Sequence, residues 1–174
     1  MPAVVCDLDG TVCDVQTIRY LVDGTLRTRN FAAFHDRSLD CPPNLAVKRM
    51  LELSRNLGYA ILMVTGRQER WSFLTALWME ENDIAYDELY MRRNSDTRPD
   101  AQVKSSILQS LSGRYSVSLA IDDSASTLPV WINAKIPTVA IGSSGEVLGI
   151  SLKRPDSVDS RLYFALRSEF SVLA

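Results

Sequence analysis

Two aspartates, Asp7 and Asp9 in the run Val4-Val5-Cys6-Asp7-Leu8-Asp9-Gly10-Thr11, are the side chains best suited to do chemistry. In an extended segment alternate side chains point the same way, so both carboxylates should reach one metal ion or one substrate atom. Like charges that close raise each other's proton affinity unless a cation neutralises them, which predicts a bound divalent metal or one protonated carboxyl. Gly10 lets the backbone turn sharply, and the Thr11 hydroxyl can fix that turn by a hydrogen bond. The plain alternative is a polar Asp-Gly turn between strands, and the buried apolar run before it argues against that. A calcium loop of the EF-hand type fails: counted from Asp7, the glycine falls fourth and the twelfth residue is Ile18.

Other polar groups punctuate the chain in the same manner. Thr65-Gly66-Arg67 closes the apolar run 60–64, and Asp122-Asp123 closes the run 117–121. Lys104 falls in the first turns of a helix, where it opposes the macrodipole at a cost of a few tenths to about 1 kcal/mol, so an anion is expected beside it. A cluster of Asp7, Asp9 and Asp122 or Asp123, with no Cys or His ligand, offers hard oxygen donors and suits Mg²⁺. With Thr65, Arg67 and Lys104 alongside, that ion makes a phosphate site. Lys104 would stabilise a transferring phosphoryl group while Thr65 and backbone N–H groups position it. Asp7 is then the nucleophile that forms a phosphoaspartate, and Asp9 the acid for the leaving oxygen and later the base for water. His35, the single histidine, lies in an unpatterned stretch and is expected on the surface.

The elements that must position these groups follow from hydrophobic pattern. Short apolar runs at 3–6, 60–64, 89–91, 117–121 and 136–141 predict buried strands. Helices are expected from Pro42-Pro43 to 57, with Val47, Met50, Leu51 and Leu57 on one stripe, over 68–81 around Trp71, Leu74 and Trp78, and over 99–112 with Val103, Ile107 and Leu111 inward. Strands alternating with helices specify an α/β fold with a doubly wound parallel sheet, Rossmann-like, whose ligands sit beyond the carboxyl ends of the strands. Asp7, Asp9, Thr65, Arg67, Asp122 and Asp123 all fall at such ends. Residues 14–41 are aperiodic, without a core stripe of their own, and predict an inserted loop or small cap after the first strand, over the site. The tail 143–174 is weakly patterned, with a helix expected over 160–170.

With 174 residues and 46% apolar content the chain predicts one domain, 1–174. A formal charge of −2 supplies no global field toward nucleic acid or an anionic membrane, so any polynucleotide contact must come from a local basic patch. The three cysteines, Cys6, Cys13 and Cys41, match no metal-ligand spacing and fit a reduced, cytoplasmic chain. No signal peptide and no membrane-spanning run are expected.

The set DLDGT, VTGR, Lys104 and IDD resembles, in order and spacing, the four motifs of the haloacid dehalogenase-like phosphohydrolase superfamily. A second carboxylate at position 9 resembles the hydrolases of that superfamily rather than its P-type ATPases. Over roughly residues 3–142, the pieces LGYAILMVTGRQE, SDTRPDAQVK and AIDDSASTLPVW are similar to the 3′-phosphatase domain of bacteriophage polynucleotide kinase-phosphatases. The resemblance implies Asp7 as nucleophile, Asp9 as acid and base, Lys104 in the catalytic set, and Asp7, Asp9, Asp122 and Asp123 at Mg²⁺. It further implies Thr65, Gly66, Arg67, Arg92, Arg98 and Asp100 around substrate. Read alone, Asp100 is equally a helix N-cap, Arg67 a turn residue, and Arg92 and Arg98 a solvated loop. The chain lacks the G-x-x-x-x-G-K-[ST] loop of a kinase half, and residues 14–41 are not similar.

The expected function is therefore a Mg²⁺-dependent phosphomonoesterase removing 3′-phosphates from nucleic-acid ends, in a nucleic-acid repair setting with a separate polynucleotide kinase or ligase. The alternatives are a phosphatase for mononucleotides or other small phosphate esters, and a non-catalytic module that binds nucleic-acid ends.

Overall fold

The first strand, β1 (Pro2–Cys6), is buried over its last four residues and is hydrogen-bonded in parallel on both sides, to β2 (Ala60–Gln68) and to β4 (Ser116–Asp122). A strand with neighbours on both edges and helices on both faces must be apolar throughout. Its alternation divides the core: Val4 and Cys6 join the cluster containing Val47, Met50 and Trp78, whereas Ala3 and Val5 join the one containing Val64, Leu111 and Trp131. β3 (Glu88–Arg92) extends the sheet beyond β2, and β5 (Thr138–Ile141) beyond β4. The order is β3-β2-β1-β4-β5-β6, with β6 (Val147–Ser151) antiparallel to β5. Windings of opposite sense meet between β1 and β4, the switch point where doubly wound sheets open a crevice. The structure is a computed structural model that describes residues 1–151 and 160–170.

Around the sheet lie α1 (Phe31–Arg37), α2 (Leu45–Asn56), α3 (Ser72–Glu81), α4 (Asp100–Leu111), α5 (Leu128–Asn133) and α6 (Ser160–Glu169). Several boundaries differ from expectation. α2 opens after Asn44, not at Pro42-Pro43, because the Asn44 side chain accepts hydrogen bonds from Ala46 N (3.1 Å) and Val47 N (3.3 Å). β2 runs on through Thr65-Gly66-Arg67 to Gln68, so α3 starts at Ser72 after a short 3₁₀ turn. β6 and α5, at 5 and 6 residues, are too short for a periodic signal, and neither was expected. The expected tail helix corresponds to α6, while residues 152–159 and 171–174 of the tail lie outside the described residues. Segment 14–41 does carry core residues: Val15, Ile18, Leu21 and Phe34 are buried with β1, their spacing broken up by 3₁₀ turns at Arg19–Leu21 and Ser38–Asp40. Among the described residues no helix is long and apolar enough to cross a membrane.

Candidate active site

β1 and β4 deliver two carboxylates side by side. Cys6 is paired with Ile121, and Asp7 N donates to Ile121 O at 2.9 Å, which sets Asp7 beside Asp122. Lys104 lies between them, its Nζ 2.9 Å from Asp7 Oδ1, 2.9 Å from Asp122 Oδ2 and 3.7 Å from Asp100 Oδ2. These are the anions its place in α4 called for. An ammonium has three donors, and three carboxylates surround it. Burial disfavours the charged lysine, yet Asp7, Asp122 and Asp100 override that and raise its pKa. Asp122, fully buried, also accepts from Ser124 N (3.0 Å) and Thr127 Oγ1 (2.7 Å) on Oδ1 and from Trp131 Nε1 (2.9 Å) on Oδ2. The roles of Thr127 and Trp131 carried no sequence signal.

Asp123 faces the same point from the other side. Its Oδ2 accepts from Arg19 Nη2 at 3.2 Å and its Oδ1 from Thr11 Oγ1 at 3.2 Å, so Thr11 ties two motifs together and does more than fix its own turn. Gly10 has φ +84°, and a Cβ there would fall 2.3 Å from Asp123 Oδ2 and 2.5 Å from Arg19 Nη2, so both the turn and the approach of Asp123 require glycine. Asp7, Asp122 and Asp123 each offer a carboxylate oxygen, all within 4.8 Å of one another. Burial pushes the Asp7 carboxyl well above its ordinary range, Lys104 opposes this, and Asp122 and Asp123 add to it. An all-oxygen donor set with surplus negative charge fits a hard divalent cation.

Asp9 does not join that set. The strand ends at Cys6, so the alternation that would aim Asp9 with Asp7 stops first. Its Oδ2 and Oδ1 instead accept from Arg67 Nε (2.8 Å) and Nη2 (2.5 Å). Arg67, 2% exposed, spends its remaining donors on Thr75 Oγ1 (3.2 Å) and Ser38 Oγ (2.9 Å). The Asp9 side chain, expected at Mg²⁺, thus lies outside the cluster of Asp7, Asp122 and Asp123, and Arg67, expected at phosphate, is bonded to Asp9 in the cavity lining. Burial would raise the Asp9 pKa, but the charge and hydrogen bonds of Arg67 prevail and keep it below the usual carboxylate range.

The remaining expected residues divide. Thr65 is buried at the cavity wall, its Oγ1 accepting from Arg67 N (3.2 Å), which leaves its own proton free to donate. Gly66 permits a close approach, since a Cβ would lie 2.3 Å from Asp100 Oδ1. Asp100 is held from both sides, by Lys104 and by Arg92 Nη2 at 3.1 Å. Arg92 lines the cavity, but its Nε donates to Gly66 O (2.9 Å) and its Nη1 to Arg98 O (2.5 Å), so it organises the loop as a brace. Arg98 lies outside the cavity, paired with Asp96 (Nη2 to Oδ2, 2.7 Å) and donating to Ser106 Oγ (3.1 Å). Expected around substrate, it is held instead by a carboxylate two residues away. His35, expected on the surface, is buried in the cavity wall beside Phe34 and Trp71. The cavity measures about 420 Å³ and is floored by Asp7, Asp9, Thr65, Lys104 and Asp123. All three cysteines are free and buried.

Residues 1–144 match the family model described as the polynucleotide kinase PNKP phosphatase domain. A curated relative from Autographa californica nuclear polyhedrosis virus, named "Putative bifunctional polynucleotide kinase/RNA ligase", is 31% identical over 140 residues, which make up 79% of this chain and 19% of the relative. A solved chain of a Pnkp1/Rnl/Hen1 complex is similar at 26% identity with a TM-score of 0.67, covering 81% of this chain and 46% of that one. This chain thus spans less than half the length of either. A haloacid dehalogenase-like hydrolase of Streptococcus pneumoniae, 12% identical with a TM-score of 0.54 over 95% of this chain and 90% of its own, shares the fold.

Proposed function

We propose that this chain, which belongs to the polynucleotide kinase PNKP phosphatase domain family, is a Mg²⁺-dependent phosphomonoesterase that removes 3′-phosphates from nucleic-acid ends through a phosphoaspartate. The observation that carries the reading is the convergence of Asp7, Lys104, Asp122 and Asp123 at one sheet edge, with Asp9 clamped above them by Arg67.

Lys104 holds Asp7 through Oδ1, and Oδ2, which accepts only a long hydrogen bond from Thr11 Oγ1 (3.4 Å), attacks phosphorus in line with the departing oxygen. Mg²⁺ held among Asp7, Asp122 and Asp123 would neutralise charge on the phosphoryl oxygens. The Thr65 hydroxyl, which lines the same cavity, donates to one of those oxygens. Asp9 rests ionised against Arg67, and an incoming phosphate dianion raises its affinity for a proton. It gives that proton to the leaving oxygen, then as a carboxylate takes one from the water that cleaves the acyl phosphate.

Phosphate release from a 3′-phosphorylated oligonucleotide, set beside release from 3′- and 5′-mononucleotides, tests the reading. The oligonucleotide should be preferred, and a mononucleotide preference of about tenfold overturns the choice. The second reading, a phosphatase for small phosphate esters, is favoured by a cavity of about 420 Å³, room for one nucleotide. The product of the first reading is a 3′-hydroxyl, the end that a ligase joins. The relative named for kinase and ligase activities supports a separate polynucleotide kinase or ligase as partner.

A further inference from the structure

Segment 14–41 supplies much of the cavity lining, and apart from Arg19, which bonds Asp123, nothing in the phosphoryl chemistry uses it. Phe31 is 51% exposed there, and among the large exposed hydrophobic side chains of the described residues it is the one that lines the cavity. One helical turn on along α1, His35 is 7% exposed, and its Nδ1 is buried with no hydrogen-bond partner. The two rings are 6.4 Å apart, and the imidazole is wedged by Phe34 at 5.3 Å and Trp71 at 5.2 Å. A ring held on several sides cannot swing out to find water. Nδ1 is closed off from water and from the cavity alike, so His35 contributes the body of its ring to the wall, behind Phe31. Burial, against a weaker pull from Asp9, lowers the His35 pKa to about 4, so the imidazole that meets the occupant at neutral pH is uncharged. Arg29, exposed, lines the same wall. An aromatic face backed by a neutral imidazole ring, with a guanidinium beside it, within one nucleotide's volume of a phosphate site, matches a nucleoside and has no use for a bare phosphate.

We infer that this wall is the subsite for the nucleoside bearing the scissile phosphate, with the base stacked on Phe31, the His35 ring backing Phe31, and Arg29 toward the next backbone phosphate. The inference rests on the nucleic-acid-end reading and adds to it the grip on the terminal base.

The test compares three substrates: a 3′-phosphorylated oligonucleotide, the same oligonucleotide lacking only its terminal base, and p-nitrophenyl phosphate. Stacking on an aromatic side chain is worth about 1–3 kcal/mol per base, so the wild-type protein should favour the base-bearing end about tenfold or more, mainly through KM. In Phe31→Ala that ratio should fall to near one, and Phe31→Trp should restore it. The ratio is internal to each preparation and does not depend on how much variant folds. Equal handling of the two ends by the wild-type protein, or an unchanged ratio in Phe31→Ala, overturns the subsite while leaving the end-phosphatase reading intact. Turnover of p-nitrophenyl phosphate with neither oligonucleotide hydrolysed overturns both.

Discussion

Arg67 and Asp9 form a buried, two-pronged ion pair whose partners lie far apart in the chain. Removing one member of such a pair leaves a charge stranded out of water, so Arg67→Ala should destabilise the fold by about 3–5 kcal/mol, read from urea unfolding. Arg67→Lys keeps the charge but not the fork, and should recover part of the stability while kcat stays depressed. Asp7→Asn should lower phosphate release by at least ~10³-fold, since an amide cannot attack phosphorus and the other carboxylates at Lys104 are held by Arg92 (Asp100) and by Thr127 and Trp131 (Asp122). His35 gives the pH prediction. Its folded-state pKa is lowered to about 4, below the usual 6.5 or so, so between those values the unfolded chain binds the extra proton. Stability should therefore fall on acidification from pH 7 to 5, by on the order of 2 kcal/mol from this residue, and His35→Phe should flatten that limb in thermal melts. The motif residues themselves could be read from the sequence. The Arg67–Asp9 pair could not, because nothing local to either residue points to the other.

At the scale of elements, the turn after β1 does the most. It begins one residue before the expected alternation would have carried Asp9 toward the metal set, and its glycine admits both Asp123 and Arg19. Gly10→Ala should cost about 1–3 kcal/mol from the positive φ and the clash, and should weaken Mg²⁺ binding measured directly by calorimetry. α4 shows the opposite case, in which element and sequence agreed. Asp100 and Lys104 are four apart, so one helical face presents both to the end of β1, and Val103 and Leu111 anchor that helix in the core. Segment 14–41 was legible as an insertion but not as structure, because its buried residues are spaced by 3₁₀ turns that follow neither helical nor strand period.

For the whole molecule, a net charge of −2 means that the substrate must be held locally. Affinity for a single-stranded oligonucleotide should fall with salt at roughly −0.7 in log–log slope per phosphate contacted, and a slope equivalent to one or two contacts is expected from so small a basic patch. Mg²⁺ held by the proposed cluster, which exists only when β1 and β4 bring its carboxylates together, should raise the melting temperature, by about 2.7 kcal/mol of stability at a hundredfold excess over Kd. Taken alone, the sequence determined the layered α/β fold and the strand ends at which Asp7, Asp122 and Asp123 converge, because burial period and turn residues are local properties and the ends of parallel strands follow from them. Only the tertiary structure decided which carboxylate meets which cation: that Arg67 serves Asp9, that Lys104 is shared by Asp7 and Asp122, that Arg19 reaches Asp123, and that His35 is a wall of the cavity. Those pairings depend on where each strand stops and how the crossovers pack, and side chains brought together from distant segments leave no period in the chain to read.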